Sequence, residues 1–208
     1  MTTFFLNRLA TEPHALAFAG QSTPWPVALA DQTTDPSLDE ALRGHVAAAN
    51  RLLAPAAADL LATTGRPVDL FGFTPNPARL SAAADATASV EGVALTQLGA
   101  LLDLEHLGYS VAAAKPVAVL GHSQGVLAVH MTRAIEAAGS IEAAGTTLDE
   151  ILAVAALIGA AGTRRVRELG LNPKYGEASP MLSVKGATRE QVEALVKRVN
   201  NARGSISI

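Results

Sequence analysis

Thirteen residues, Val117 to Val129 (VAVLGHSQGVLAV), constrain the fold of this chain more than any others. Strand-favouring apolar residues run into Gly121-His122-Ser123-Gln124-Gly125, and a helix-forming run follows at once. A strand turned through G-x-S-x-G into a helix belongs to a parallel sheet with helices packed on it, so the expected class is α/β. The glycines are needed because the serine sits on a tight, strained turn where flanking side chains would clash. Ser123 then stands at a helix N-terminus, where the dipole and free N–H groups favour negative charge, and the Gln124 N–H is placed to donate to an oxyanion. The plainer reading of Ser123 is a helix cap; the strand before it and the helix after it favour a nucleophile.

Composition narrows the class. Hydrophobic residues make up 49% of the 208 and charged residues 17%, which suits one large packed domain or a domain with a small appendage. The net charge of −3 and the lack of any basic cluster beyond Arg164, Arg165 and Arg167 argue against a nucleic-acid partner. Cysteine is absent, which excludes disulfides, thiolate zinc sites and a cysteine nucleophile. The N-terminal MTTFFLNRLATEP lacks a signal-peptide pattern, and no window approaches about 18 uninterrupted apolar residues. The expectation is a soluble, cytoplasmic chain with no membrane partner and no bound metal.

The periodicity predicts a buried strand over 14–20, a loop over 20–26 where two prolines forbid regular structure, and a helix over 38–64 that starts at Asp35-Pro36-Ser37 and breaks near Pro55. A loop is expected over 71–81 and a helix over 90–107, with an apolar stripe of Val93, Leu95, Leu98, Leu101 and Leu102. Residues 139–147 read as a separator before a helix over 148–169. The rhythm then changes to strand (180–186), amphipathic helix (188–200) and strand (204–208). This gives a core over 1–178 and the start of a small subdomain over 179–208, broken off on its last strand.

A serine nucleophile needs an imidazole within hydrogen-bond reach. His122 precedes the serine and points away on the turn; His130 lies seven residues on, ~10 Å along a continuing helix. His14 sits at the mouth of the first strand, and His45 and His106 lie inside helical patterns. On these residues the catalytic machinery is incomplete.

GHSQGVLAV, FAGQSTPW, SVEGVALTQ and ALIGAAGTRR, in this order and spacing, resemble the N-terminal acetyl-transferring acyltransferase domain of actinobacterial type I fatty acid synthases, over nearly the whole chain. GHSxG alone is a weak signal; joined to the upstream GQS and the downstream LIGAAG it is a strong one. The resemblance implies an α/β-hydrolase-like core with a ferredoxin-like insert. It implies acetyl transfer from a coenzyme A thioester to Ser123, then to the phosphopantetheine thiol of an acyl carrier protein domain, with no bound cofactor. Gln21 then belongs to the oxyanion loop with Gln124, and Gly121, His122 and Gly125 organise the site. The family's catalytic histidine falls about a hundred residues beyond this Gly121–Gly125 elbow, so the resemblance predicts that these 208 residues are a poorly active fragment of a large homo-oligomeric synthase.

Malonyl-transferring relatives hold the substrate carboxylate with an arginine on the helix after the elbow helix. Their M-R-G stretch aligns on Ala156-Leu157-Ile158-Gly159 and puts Ile158 at the arginine's place. An isoleucine leaves a malonyl carboxylate unpaired and suits acetyl; on the residues alone, Ile158 is a core residue of an amphipathic helix. Arg164 and Arg165, a turn or two farther on, remain open as substitutes. A malonyl/palmitoyl transferase, a serine esterase or thioesterase, and a non-catalytic scaffold are the alternatives.

Overall fold

The computed structural model describes residues 8–9, 11–20, 25–64, 86–168 and 186–203. The predicted strands over 180–186 and 204–208 lie, but for Gly186, outside the described residues, as does the loop over 71–81. The chain divides into Met1–Gly170 and Leu171–Ile208.

In the first unit two short strands, β1 (Ala15–Phe18) and β2 (Ala118–Gly121), pair in parallel with Ala15 opposite Ala118 and Phe18 opposite Gly121. The ladder extends at both ends: Val117 N–H donates to the His14 carbonyl (2.9 Å) and His122 N–H to that of Phe18 (3.0 Å). Parallel strands need a crossover, and here it is helical.

Helix α1 (Trp25–Gln32) begins inside the expected 20–26 loop. Pro26 stands in its first turn, where a missing N–H breaks no helix bond, so proline there does not exclude a helix. Helix α2 (Pro36–Leu53) starts where the sequence signalled, with Asp35 capping Ser37 and Leu38. Its buried Leu38, Leu42, Val46, Ala49 and Leu53 make one apolar face. Pro55 lies in a 3₁₀ turn (Ala54–Ala56) that separates α2 from α3 (Ala57–Thr64).

Helix α4 (Ala86–His106) is buried on every side from Ser89 to Gly99, more than the expected stripe. Helix α4 packs on α1 and on α7, and its buried stretch carries Ser89, Glu91, Thr96 and Gln97 among the apolar residues. After α5 (Val111–Ala114) and β2, helix α6 (Val126–Ala138) buries Leu127, Met131 and Ile135. Gly139, at φ 88, ends α6 by returning its N–H to the Ile135 carbonyl.

Helix α7 (Ile141–Glu168) starts at once, so the expected separator over 139–147 shrinks to Gly139 and Ser140. The Ser140 hydroxyl accepts from Ala143 N–H (3.1 Å), and a helix tolerates an interior glycine such as Gly145 at about 1 kcal/mol. Helix α7 touches α2, α3, α4 and α6 and carries Leu148 and Leu152 into the core, each worth about 1.5–3 kcal/mol of burial. By length and composition Ile141–Arg165 could cross a membrane, with a mean hydropathy of 1.5, but it forms the centre of this helical core.

In the second unit, helix α8 (Arg189–Arg203) opens with a reciprocal cap. Thr188 N–H donates to Gln191 Oε1 (2.9 Å) and Gln191 N–H to Thr188 Oγ1 (3.3 Å).

Candidate active site

The ladder carries the chain to His122 in an extended conformation (φ −98, ψ 127), and at Ser123 the backbone reverses to φ 55. A tight turn over Ser123–Gly125 follows, closed by the Gly125 N–H on the His122 carbonyl (2.9 Å), and α6 continues from it. A left-handed residue with a Cβ costs about 1–2 kcal/mol, so the surrounding structure must enforce this turn. The reward is placement: Ser123 is exposed at the strand-to-helix corner, and first-turn N–H groups such as that of Gln124 have no acceptor inside the helix.

Close approach explains the glycines. A Cβ on Gly121 would strike the Gly125 carbonyl and lie 2.7 Å from the Val126 nitrogen. One on Gly125 would strike the Phe18 carbonyl and lie 2.9 Å from that of Ala19. The elbow therefore rests on the end of β1. From the other side, a Cβ on Gly20 would lie 2.6 Å from the His122 carbonyl oxygen, 2.8 Å from Ser123 Cβ and 3.4 Å from the Gln124 nitrogen. The Ala19–Gly20 backbone is thus pressed against the serine. Gln21 lies outside the described residues.

One contributor escaped the sequence reading. Gln97 projects from α4 and donates through Nε2 to the Ala19 carbonyl (2.6 Å). It is 7% exposed, within a helix that also touches the Ser123–Gly125 turn. Nothing in the sequence sets Gln97 apart from the other polar residues of α4, such as Ser89, Glu91 and Thr96. Gln124 is half-buried, and its Oε1, like that of Gln97, is enclosed without a hydrogen-bond partner among the described residues.

The histidines stand elsewhere. His14, at the opposite end of β1, holds the Glu12 carbonyl through Nδ1 (2.9 Å) and Tyr109 Oη through Nε2 (2.5 Å). Strand rise puts it about 13 Å from the elbow. His45 of α2 pairs with Asp149 of α7 (2.7 Å), and His106 ends α4 near Asp35. His130 is exposed on α6, and the exposed His122 contributes its backbone to the turn. Among the described residues no histidine is hydrogen-bonded to Ser123, and no group of three metal-ligating side chains is gathered.

Ile158 lies on α7 in an apolar row with Val154 and Leu157, and 49% of its surface is exposed. It is therefore not a core residue. Arg164 and Arg165 both face Glu168, at 3.9 and 3.1 Å.

The family model for the starter unit:ACP transacylase of aflatoxin biosynthesis matches residues 78–207, which include α4, β2, the elbow, α6 and α7. The chain belongs to the starter unit:ACP transacylase family. This makes it an acyltransferase-type domain that works with an acyl carrier protein. The match omits β1 and Gly20, which the structure brings against the elbow of this transacylase domain. No curated protein and no solved structure matches the chain.

Proposed function

We propose that this domain loads an acetyl starter from coenzyme A onto Ser123 and passes it to the phosphopantetheine thiol of a carrier domain in a type I fatty acid synthase. The observation that carries this reading is Ser123 at φ 55 between β2 and α6, with Gly20 against it. Ser123 Oγ adds to the thioester carbon and gives its proton to a base from outside the described residues. The negative charge on the former carbonyl oxygen is met by the Gln124 N–H and by the positive end of α6. The C–S bond then breaks, the coenzyme leaves as its thiol with that proton, and an acyl-serine ester remains. Attack by the carrier thiol reverses the steps and restores the Ser123 hydroxyl.

Acetyl rather than malonyl is supported by the alignment that puts Ile158, in an apolar row with Val154 and Leu157, at the place of the arginine of malonyl-transferring relatives, where a carboxylate would be left unpaired. In the same reading Gln21 supplies a second oxyanion donor, and the parallel pair belongs to an α/β-hydrolase-like sheet followed by a ferredoxin-like unit.

The test uses the full-length protein with acetyl-, malonyl- and longer acyl-CoA, read by mass spectrometry at Ser123 and on added holo-carrier protein. Acetyl-serine that is discharged onto the carrier thiol is expected. Release of the acyl group to water despite the carrier identifies an esterase, and no acyl group on Ser123 refutes the reading.

A further inference from the structure

We propose that Gln97 is a positioning residue for the nucleophile, clamping the Ala19–Gly20 backbone against Ser123; this rests on the reading of Ser123 as the acyl acceptor. A carbonyl can only accept, so the contact with Ala19 fixes Nε2 as the donor and leaves Oε1 enclosed without a partner among the described residues. Burying an amide for a single hydrogen bond does little for stability, because the orphaned oxygen offsets the bond. Its geometric effect is specific. The Ala19 carbonyl lies between the Gln97 amide and Gly125, and the next residue, Gly20, abuts Ser123 Cβ and the Gln124 nitrogen. Helix α4 touches the elbow turn as well, so one rigid helix fixes both sides of the reacting serine.

The test compares Gln97→Leu and Gln97→Glu with wild type in the full-length protein. Ser123 modification is measured both by acetyl-CoA and by a fluorophosphonate, a serine reagent that needs no natural acyl donor. Gln97→Leu keeps the volume and removes the donor. Both rates should fall by about 100-fold, the scale of an ångström-level misplacement, while the affinity for an unreactive acyl-CoA thioether is unchanged. In Gln97→Glu the carboxyl can donate to the Ala19 carbonyl only when protonated. Its rates relative to wild type should therefore recover as pH falls, which a packing role alone would not produce.

Wild-type rates in Gln97→Leu, or a Gln97→Glu profile parallel to wild type, would overturn the proposal. If wild type is phosphonylated but accepts no acyl group, the transfer reading fails while the fluorophosphonate comparison still decides the role of Gln97. A wild-type serine inert to both reagents would overturn both.

Discussion

Ser123 should be a site where losing the side chain makes the protein more stable. Its φ of 55 lies at the centre of the left-handed region, which costs a residue with a Cβ about 1–2 kcal/mol. Replacement by alanine keeps the Cβ and hence the cost, and the lost hydroxyl is exposed, so Ser123→Ala should unfold close to wild type. Replacement by glycine removes the cost but gives back about 0.5–1 kcal/mol through the greater freedom of the unfolded chain. The Ser123 Cβ also packs beside Gly20, which trims the gain further. Ser123→Gly should therefore exceed Ser123→Ala by about 0.5 kcal/mol. For a chain of this size that corresponds to a melting-point difference of about 1–2 °C. Thermal unfolding of the three proteins at one pH and one scan rate measures it, and both variants should be devoid of acyl-enzyme. A glycine variant no more stable than the alanine variant would refute the claim that the elbow holds the serine under strain.

Gly20→Ala should separate folding from activity: its Cβ, 2.6 Å from the His122 carbonyl oxygen, needs about 0.8 Å of backbone movement to regain ordinary contact, enough to lower Ser123 acylation about 100-fold in single-turnover assays while the fold persists. Asp35, held below the usual carboxylate range by the Ser37 hydroxyl and by the Leu38 and Ser37 N–H groups, contributes stability that is present above its unfolded pKa and lost as pH falls through the lower folded value. Melting points of wild type and Asp35→Ala should thus differ at neutral pH and converge in acid. Tyr109 is pushed up chiefly by burial and secondarily by Glu136, so its contribution is present below about pH 10 and lost as pH rises toward the folded value. Tyr109→Phe should remove that alkaline decline in urea midpoints and cost about 0.5–1.5 kcal/mol near pH 8, where it strands the His14 ring nitrogen.

The parts of the fold that the sequence disclosed are those governed by local chemistry. Asp35 before Pro36 and the break at Pro55 announce α2 and its end, because caps and prolines act on their own neighbours. The strand, turn and helix around Ser123 were legible for the same reason. Pro26 and Gly145 misled because both residues are tolerated inside helices at the positions they occupy. The pairing of Phe18 with Gly121 left no trace in either segment, since register is decided by the partner strand. Gln97 was invisible too: only the approach of Ala19 gives its amide a purpose.

That pairing also dictates when the site can come into being. The strands that support the elbow are separated by about a hundred residues, and closing so long a loop is among the slower events available to a folding chain. Helices α4, α6 and α7 draw on shorter-range contacts and can assemble before β1 returns. Phe18 and Ala19 pack on Gly125 and Gly20 abuts Ser123, so the left-handed turn gains that support only when β1 arrives. In refolding, recovery of far-ultraviolet ellipticity should therefore precede the reactivity of Ser123 toward a fluorophosphonate. The interval between them times the arrival of the first strand.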